Sequence, residues 1–250
     1  MCLLPVQVCP GVLIGLFLFS LISSGVSKEE VDQNTLAKII HHIETNGGGG
    51  VQFAVAINVP ADQCGATFSQ NFLSGEDADT VKKALKDNNL YEGEQLVAAK
   101  PKGKNKKNKI HSERALLMCK DSNIDDTPVQ KLLKKDQNGC VVFYTYNSPC
   151  LEFCLNQAKP KACILSNLSV LSDHQGPTAF VFNKVYYGDI SPASGSGSGS
   201  ALADGLKLVD DQVPLYKCDA NSCVKQKHYT HVWMDSHHFF LSMTINDFSL

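Results

Sequence analysis

Residues 140–146 are an unbroken run of apolar, β-branched and aromatic side chains that stops at Asn147-Ser148-Pro149-Cys150. Such a run reads as a buried strand. Ser-Pro directly after it reads as a helix start, with Ser148 as N-cap and the proline at the first helical position. Cys150 and Cys154 would then share one face of a helix over 150–158, and the positive end of that helix would favour thiolates. A strand that hands its chain straight to a helix belongs to an α/β sheet. The C-terminal ends of its strands are where such a sheet holds ligands.

A second short motif lies upstream. His111-Ser112-Glu113 opens a segment, 112–120, whose pattern is helical. One imidazole and two sulfurs are three zinc ligands, and three protein ligands leave the fourth position open, as catalytic zinc sites do. The three-residue gap between the cysteines lies within the spacing of zinc-binding pairs. Glu113, two residues from His111, suits a proton carrier beside that open position. Taken singly, each motif has a plainer reading: His-x-Glu is common by chance, and Cys150 and Cys154 also suit a disulfide. Their conjunction, each at a strand-to-helix junction, points to metal chemistry.

His-x-Glu followed by Pro-Cys and a second cysteine is the signature of the zinc deaminases. On these motifs the chain resembles the AID/APOBEC-like polynucleotide deaminases, and in particular their secreted members, over residues 29–218. The resemblance implies an α/β chain with the three-layer α/β/α cytidine deaminase-like fold and a mixed five-stranded sheet. It implies Zn2+ held by His111, Cys150 and Cys154, Glu113 as the proton carrier, and hydrolysis of cytosine to uracil in single-stranded DNA or RNA, without a redox cofactor. Two departures stand out. Three residues separate the cysteines where two are usual, and Asn147 stands where the family usually has Trp, in the wall that meets the target base. Tyr186-Tyr187-Gly188-Asp189 follows the family's pattern of aromatics and Asp after the fourth strand, where the loop helps select the preceding base. Tyr186 and Tyr187 also suit simple sheet cover.

The net charge of −2 excludes strong overall attraction to polyanions, so a nucleic-acid footprint has to be local. The Lys-rich segment 100–109 supplies one: Lys100, Lys102, Lys104, Lys106, Lys107 and Lys109 crowd just before His111. By composition this is a solvated loop. By position it forms a rim at the metal pocket, where Lys104, Lys106, Lys107 and Lys109 would gather phosphates without reading sequence. Two rival functions remain: deamination of free cytidine or its nucleotides, and a non-catalytic extracellular module that binds polyanions while zinc holds the fold.

Residues 1–25 read as a signal peptide, with an apolar run over 11–22 and small residues at Ser23, Ser24, Gly25 and Ser27, although no Lys or Arg precedes the run. The run is short for a membrane span. The expectation is a secreted, extracellular deaminase domain over 28–250, without stable membrane association after cleavage and with a role against foreign nucleic acid. Ten cysteines, less Cys2 and Cys9 in the leader and the two assigned to metal, leave six. An even number suits disulfides in an oxidising compartment, with Cys218 and Cys223 paired across a short turn. Asn167-Leu168-Ser169 is a glycosylation sequon if it lies at the surface.

The remaining pattern gives helices over 29–45, 77–88, 128–135 and 201–210, and strands over 51–59, 95–99, 178–187 and 213–217. Residues 164–171 suit either a helical face or an extra strand. The glycines at 47–50 form a loop that the resemblance places beside the pocket. The Ser/Gly-rich stretch 191–200 reads as a loop inside one domain rather than a linker. The tail from 221, with Trp233 and its His pairs 228/231 and 237/238, reads as sheet cover in preference to a second metal site.

Overall fold

All six residues of the strand β1 (Ala54–Val59) are buried, as they must be in a strand covered on both faces. The computed structural model describes residues 30–46, 51–65, 69–87, 89–103, 109–118, 126–195, 197–219 and 221–226. In chain order these form α1 (Gln33–Asn46), β1, α2 (Ala78–Asp87), β2 (Leu90–Glu92), β3 (Leu96–Ala99), α3 (Ser112–Leu117), α4 (Pro128–Lys135) and β4 (Cys140–Asn147). There follow α5 (Ser169–Ser172), β5 (Thr178–Lys184), α6 (Tyr187–Ile190), α7 (Ser198–Asp210), β6 (Leu215–Cys218) and β7 (Cys223–Lys225).

The strands make one mixed sheet in the order β2-β3-β1-β4-β5-β6-β7. It has seven strands where five were expected. The five expected strands are present, in the order β3-β1-β4-β5-β6, and each edge gains a three-residue strand. Both additions are hairpin arms: β2 folds antiparallel onto β3, and β7 folds back onto β6 with Cys218 opposite Cys223. The disulfide between these two cysteines is formed, as the short turn implied. A second disulfide joins Cys64 to Cys140.

Register sorts the core into two layers. Ala54, Ala56, Val141 and Phe143 face one side, packed by Leu116 and Leu117 of α3, Leu132 of α4, and Leu202 and Leu206 of α7. Val55, Ile57, Val142 and Tyr144 face the other, under Leu36, Ile39 and Ile40 of α1. Helices thus cover both faces of the sheet. The α4 boundaries follow from chemistry: Thr127 and Gln130 form a complete capping box and Pro128 opens the helix.

β4, β5 and β6 run parallel, so the chain leaves β4 and β5 at the same end of the sheet. That end carries both motif loops. Strand β5 stops at Lys184 rather than 187, and Tyr187 enters the single turn α6. Residues 164–171 are helical, in a 3-10 turn at Leu165–Asn167 and in α5. The Ser/Gly-rich stretch is not loop throughout: Gly197, at φ +101°, supplies a left-handed entry and Ser198 begins α7. Further on, Gly205 lets this helix close on the motif loop, since a Cβ there would stand 2.9 Å from Leu155 Cδ1.

Among the described residues no helix is long and apolar enough to cross a membrane. The leader 1–25, the glycines 47–50, Lys104, Lys106, Lys107, Cys119 and the tail with Trp233 and its histidines lie outside the described residues.

Candidate metal centre and its cavity

His111 is the N-cap residue of α3, with extended backbone (φ −70°, ψ 153°), and its carbonyl accepts the first helical hydrogen bond from Ala115 N–H at 3.0 Å. The first turn of α3 presents Ser112 and Glu113 inward, and both are buried. Across from it, the loop after β4 brings up two sulfurs. His111 Nδ1 lies 3.6 Å from Cys150 Sγ and 3.3 Å from Cys154 Sγ, and the sulfurs are 3.7 Å apart. The two cysteines are free thiols rather than a disulfide.

These separations test whether zinc fits. Zinc–sulfur bonds of about 2.3 Å and zinc–nitrogen bonds of about 2.0 Å at tetrahedral angles give edges of about 3.8 Å and about 3.5 Å. The observed triangle matches those edges within a few tenths of an ångström, and all three atoms converge. The donor set fits zinc with one corner left open.

The loop differs from the expected helix over 150–158. Residues 151–155 form a wide turn closed by Leu155 N–H to Cys150 O at 3.0 Å. Ser148 is not a helix cap: its Oγ accepts from Tyr186 N–H at 3.0 Å and ties the two motif loops together. Downstream, Asn156 Oδ1 accepts from Ala158 N–H, and such local side-chain bonds compete with helix. Pro160 lacks an amide to continue one.

Without a helix end behind it, the thiolate character of Cys150 has another origin. Its pKa is pulled down to about 4, chiefly by its hydrogen bond with Cys154 and then by His111, against burial. Cys154 moves the opposite way, raised by the same bond and by burial. His111 is raised in turn, first by its bond to Cys150.

Glu113 is 2% exposed, and burial raises its carboxyl pKa. Both its oxygens accept hydrogen bonds: Oε1 from Thr145 Oγ1 and Oε2 from Ser112 Oγ, each at 3.0 Å. Asp189, from the loop after β5, accepts from Leu151 N–H at 3.0 Å and is pushed up to about 6 by burial. Phe153 packs against the His111 ring at 5.3 Å between centroids.

These groups open onto a cavity of about 470 Å³. Of the residues expected at the substrate, Asn147 and Tyr186 line it, and Lys109 stands at its edge with Pro101. Tyr186 is 42% exposed, whereas Tyr187 is 70% exposed and is not part of the lining. Lys102 and Ile110 form a two-way backbone bridge (2.9 and 2.8 Å) that closes the base of the lysine segment beside the cavity. Sequence reasoning missed Gln52, Thr145 and Phe153. Gln52 and Thr145 are lone polar residues beside or within apolar strands, which gives no signal until the sheet register is known. Phe153 lay inside the motif but was counted only as spacer.

No curated protein and no solved structure matches the chain. The sequence model of one protein family does match, over residues 33–232, which includes both motifs and the whole sheet. The order of the motifs, the sheet that carries them and this match agree: the chain belongs to the family described as Secreted Novel AID/APOBEC-like Deaminase 1.

Proposed function

We propose that the protein is a secreted zinc-dependent deaminase that hydrolyses cytosine to uracil in single-stranded nucleic acid. One observation carries the reading: three ligand atoms spaced as the edges of a zinc tetrahedron, with a buried carboxyl beside them at the wall of an open cavity. His111, Cys150 and Cys154 would hold zinc, which would supply Lewis-acid activation of water. Glu113 takes the proton of the attacking water, passes it to the ring nitrogen, and assists the amino group to leave as ammonia. Burial raises its carboxyl above the ordinary range, which favours the protonated form that a proton carrier must adopt in turn. The exposed Lys109 at the cavity supports attraction of a phosphate backbone. Tyr186 offers a face for stacking. Two disulfides and the family's description as secreted support export.

A second reading, deamination of free cytidine, is favoured by the size of the cavity, since about 470 Å³ is in the range that holds one small molecule. The test is turnover of single-stranded DNA, single-stranded RNA and free cytidine by the purified protein, with metal analysis of the same sample. Oligonucleotide turnover that far exceeds that of cytidine is expected. Glu113→Gln with full zinc content should lose about 100-fold or more in kcat. Turnover of cytidine alone would select the second reading. No turnover of any substrate by the zinc-loaded protein would leave a non-catalytic polyanion-binding module.

A further inference from the structure

Gln52 sits two residues ahead of β1, and its carboxamide is the most connected side chain at the cavity. Its Oε1 accepts from both the backbone N–H of Asn147 at 2.9 Å and Asn147 Nδ2 at 2.7 Å. Those two donors saturate the carbonyl oxygen. The amide therefore has one orientation, because a flip would set its NH2 group against two other donors. In that orientation Nε2 faces acceptors only: Ser112 Oγ at 3.1 Å, Thr145 Oγ1 at 3.1 Å and Glu113 Oε1 at 3.4 Å. Ser112 and Thr145 are the two hydroxyls that donate to the Glu113 carboxyl. With the Gln52 amide donating to their oxygens, the Ser112 hydroxyl proton is directed onward to Glu113, and the Thr145 hydroxyl is held between Glu113 and the Asn147 carbonyl oxygen, each 3.0 Å away.

The geometry points to Gln52 as the positioning residue of the reaction, held by Asn147 and acting through Ser112 and Thr145 to fix the rotamer of Glu113. The assignment explains what Asn147 does in the cavity wall: its side chain sets the direction of the Gln52 amide. Fixing a carboxyl by outer groups is how sites are kept within reach of a reacting proton. The inference rests on the deaminase reading above.

Gln52→Glu tests it, because the variant keeps its shape and one oxygen for Asn147 but turns the other toward the Glu113 carboxylate. Gln52→Leu, which removes the amide altogether, is the companion. Both should lower kcat about 10- to 100-fold, with KM within about twofold and zinc content unchanged. A raised KM with kcat intact would make Gln52 a substrate contact and overturn the proposal. So would unchanged kinetics, or zinc lost in step with activity. A second measurement does not use turnover: the melting temperatures of Gln52→Leu, Glu113→Gln and the double variant. The double should shift by clearly less than the sum of the singles, since both break one network. Additive shifts overturn the clamp. If the wild-type protein deaminates nothing while the melting shifts are non-additive, the deaminase reading fails and the clamp stands.

Discussion

Removal of the two disulfides among the described residues, one pair at a time, should cost very different amounts of stability. Cys64–Cys140 joins residues 76 apart in sequence, whereas Cys218–Cys223 joins residues 5 apart. On the chain-entropy account, the longer loop stabilises by about 4.5 kcal/mol and the shorter by about 2 kcal/mol. Burial does not blur the comparison. Each bridge has one nearly inaccessible cysteine and one at 8–9% exposure, so the small cavities left by alanine should roughly cancel. The difference of about 2.5 kcal/mol corresponds to about 5–10 °C in melting temperature for a domain of this size. Cys64→Ala with Cys140→Ala, and Cys218→Ala with Cys223→Ala, should be compared with the oxidised parent by thermal and denaturant unfolding. Because Cys140 begins the strand whose far end leads to Cys150, the first pair should also release zinc at the lower temperature. Equal losses, or a larger loss for the short bridge, would refute the reasoning.

Three further outcomes are expected. Cys154→Ala should lower bound zinc from about one per chain to near zero, and chelation of the wild type should abolish turnover while both disulfides remain. Metal analysis before and after dialysis checks this. Three phenols are bonded to glutamates that fasten outlying segments to the sheet: Tyr91 to Glu76, Tyr144 to Glu44 and Tyr216 to Glu30. Burial, followed by those glutamates, raises all three, Tyr91 to about 12. A phenol raised by the fold adds stability fully below about pH 10 and loses it as pH climbs toward 12. Ultraviolet titration should therefore show late-ionising tyrosines whose ionisation coincides with unfolding. Finally, the sequon at Asn167 has a half-buried asparagine and an exposed Ser169. Protein exported from animal cells should lose mass on treatment with an N-glycosidase, and Asn167→Gln should not.

Local chemistry made some elements legible in the sequence. Pro128 set the start of α4, and the unbroken apolar run before Asn147 marked β4, because a helix start and a buried strand are each written in a few adjacent residues. The cluster of His111, Cys150 and Cys154 was legible because its members are rare residue types at characteristic spacing. The pairing of Cys64 with Cys140 was not, since six cysteines permit fifteen pairings and only the folded sheet brings these two together. The edge strands β2 and β7 are too short to show a period. The loop at Cys150 misled because Ser148 and Pro149 are the right residues for a helix start, yet Ser148 spends its oxygen on Tyr186 in a loop 38 residues away. Gln52 illustrates the general limit: its meaning depends wholly on Ser112, Glu113, Thr145 and Asn147, none of which is near it in the chain.

The backbone bridge between Lys102 and Ile110 has an evolutionary consequence. It clamps the chain one residue before His111, so this imidazole is held from its own side whatever lies beyond the clamp. Length changes in the intervening lysine segment then cost little more than loop entropy, about 0.6 kcal/mol for each doubling. Length and charge of that segment are thereby free to diverge between relatives, or to be exchanged by an engineer, while the cluster of His111, Cys150 and Cys154 stays constant.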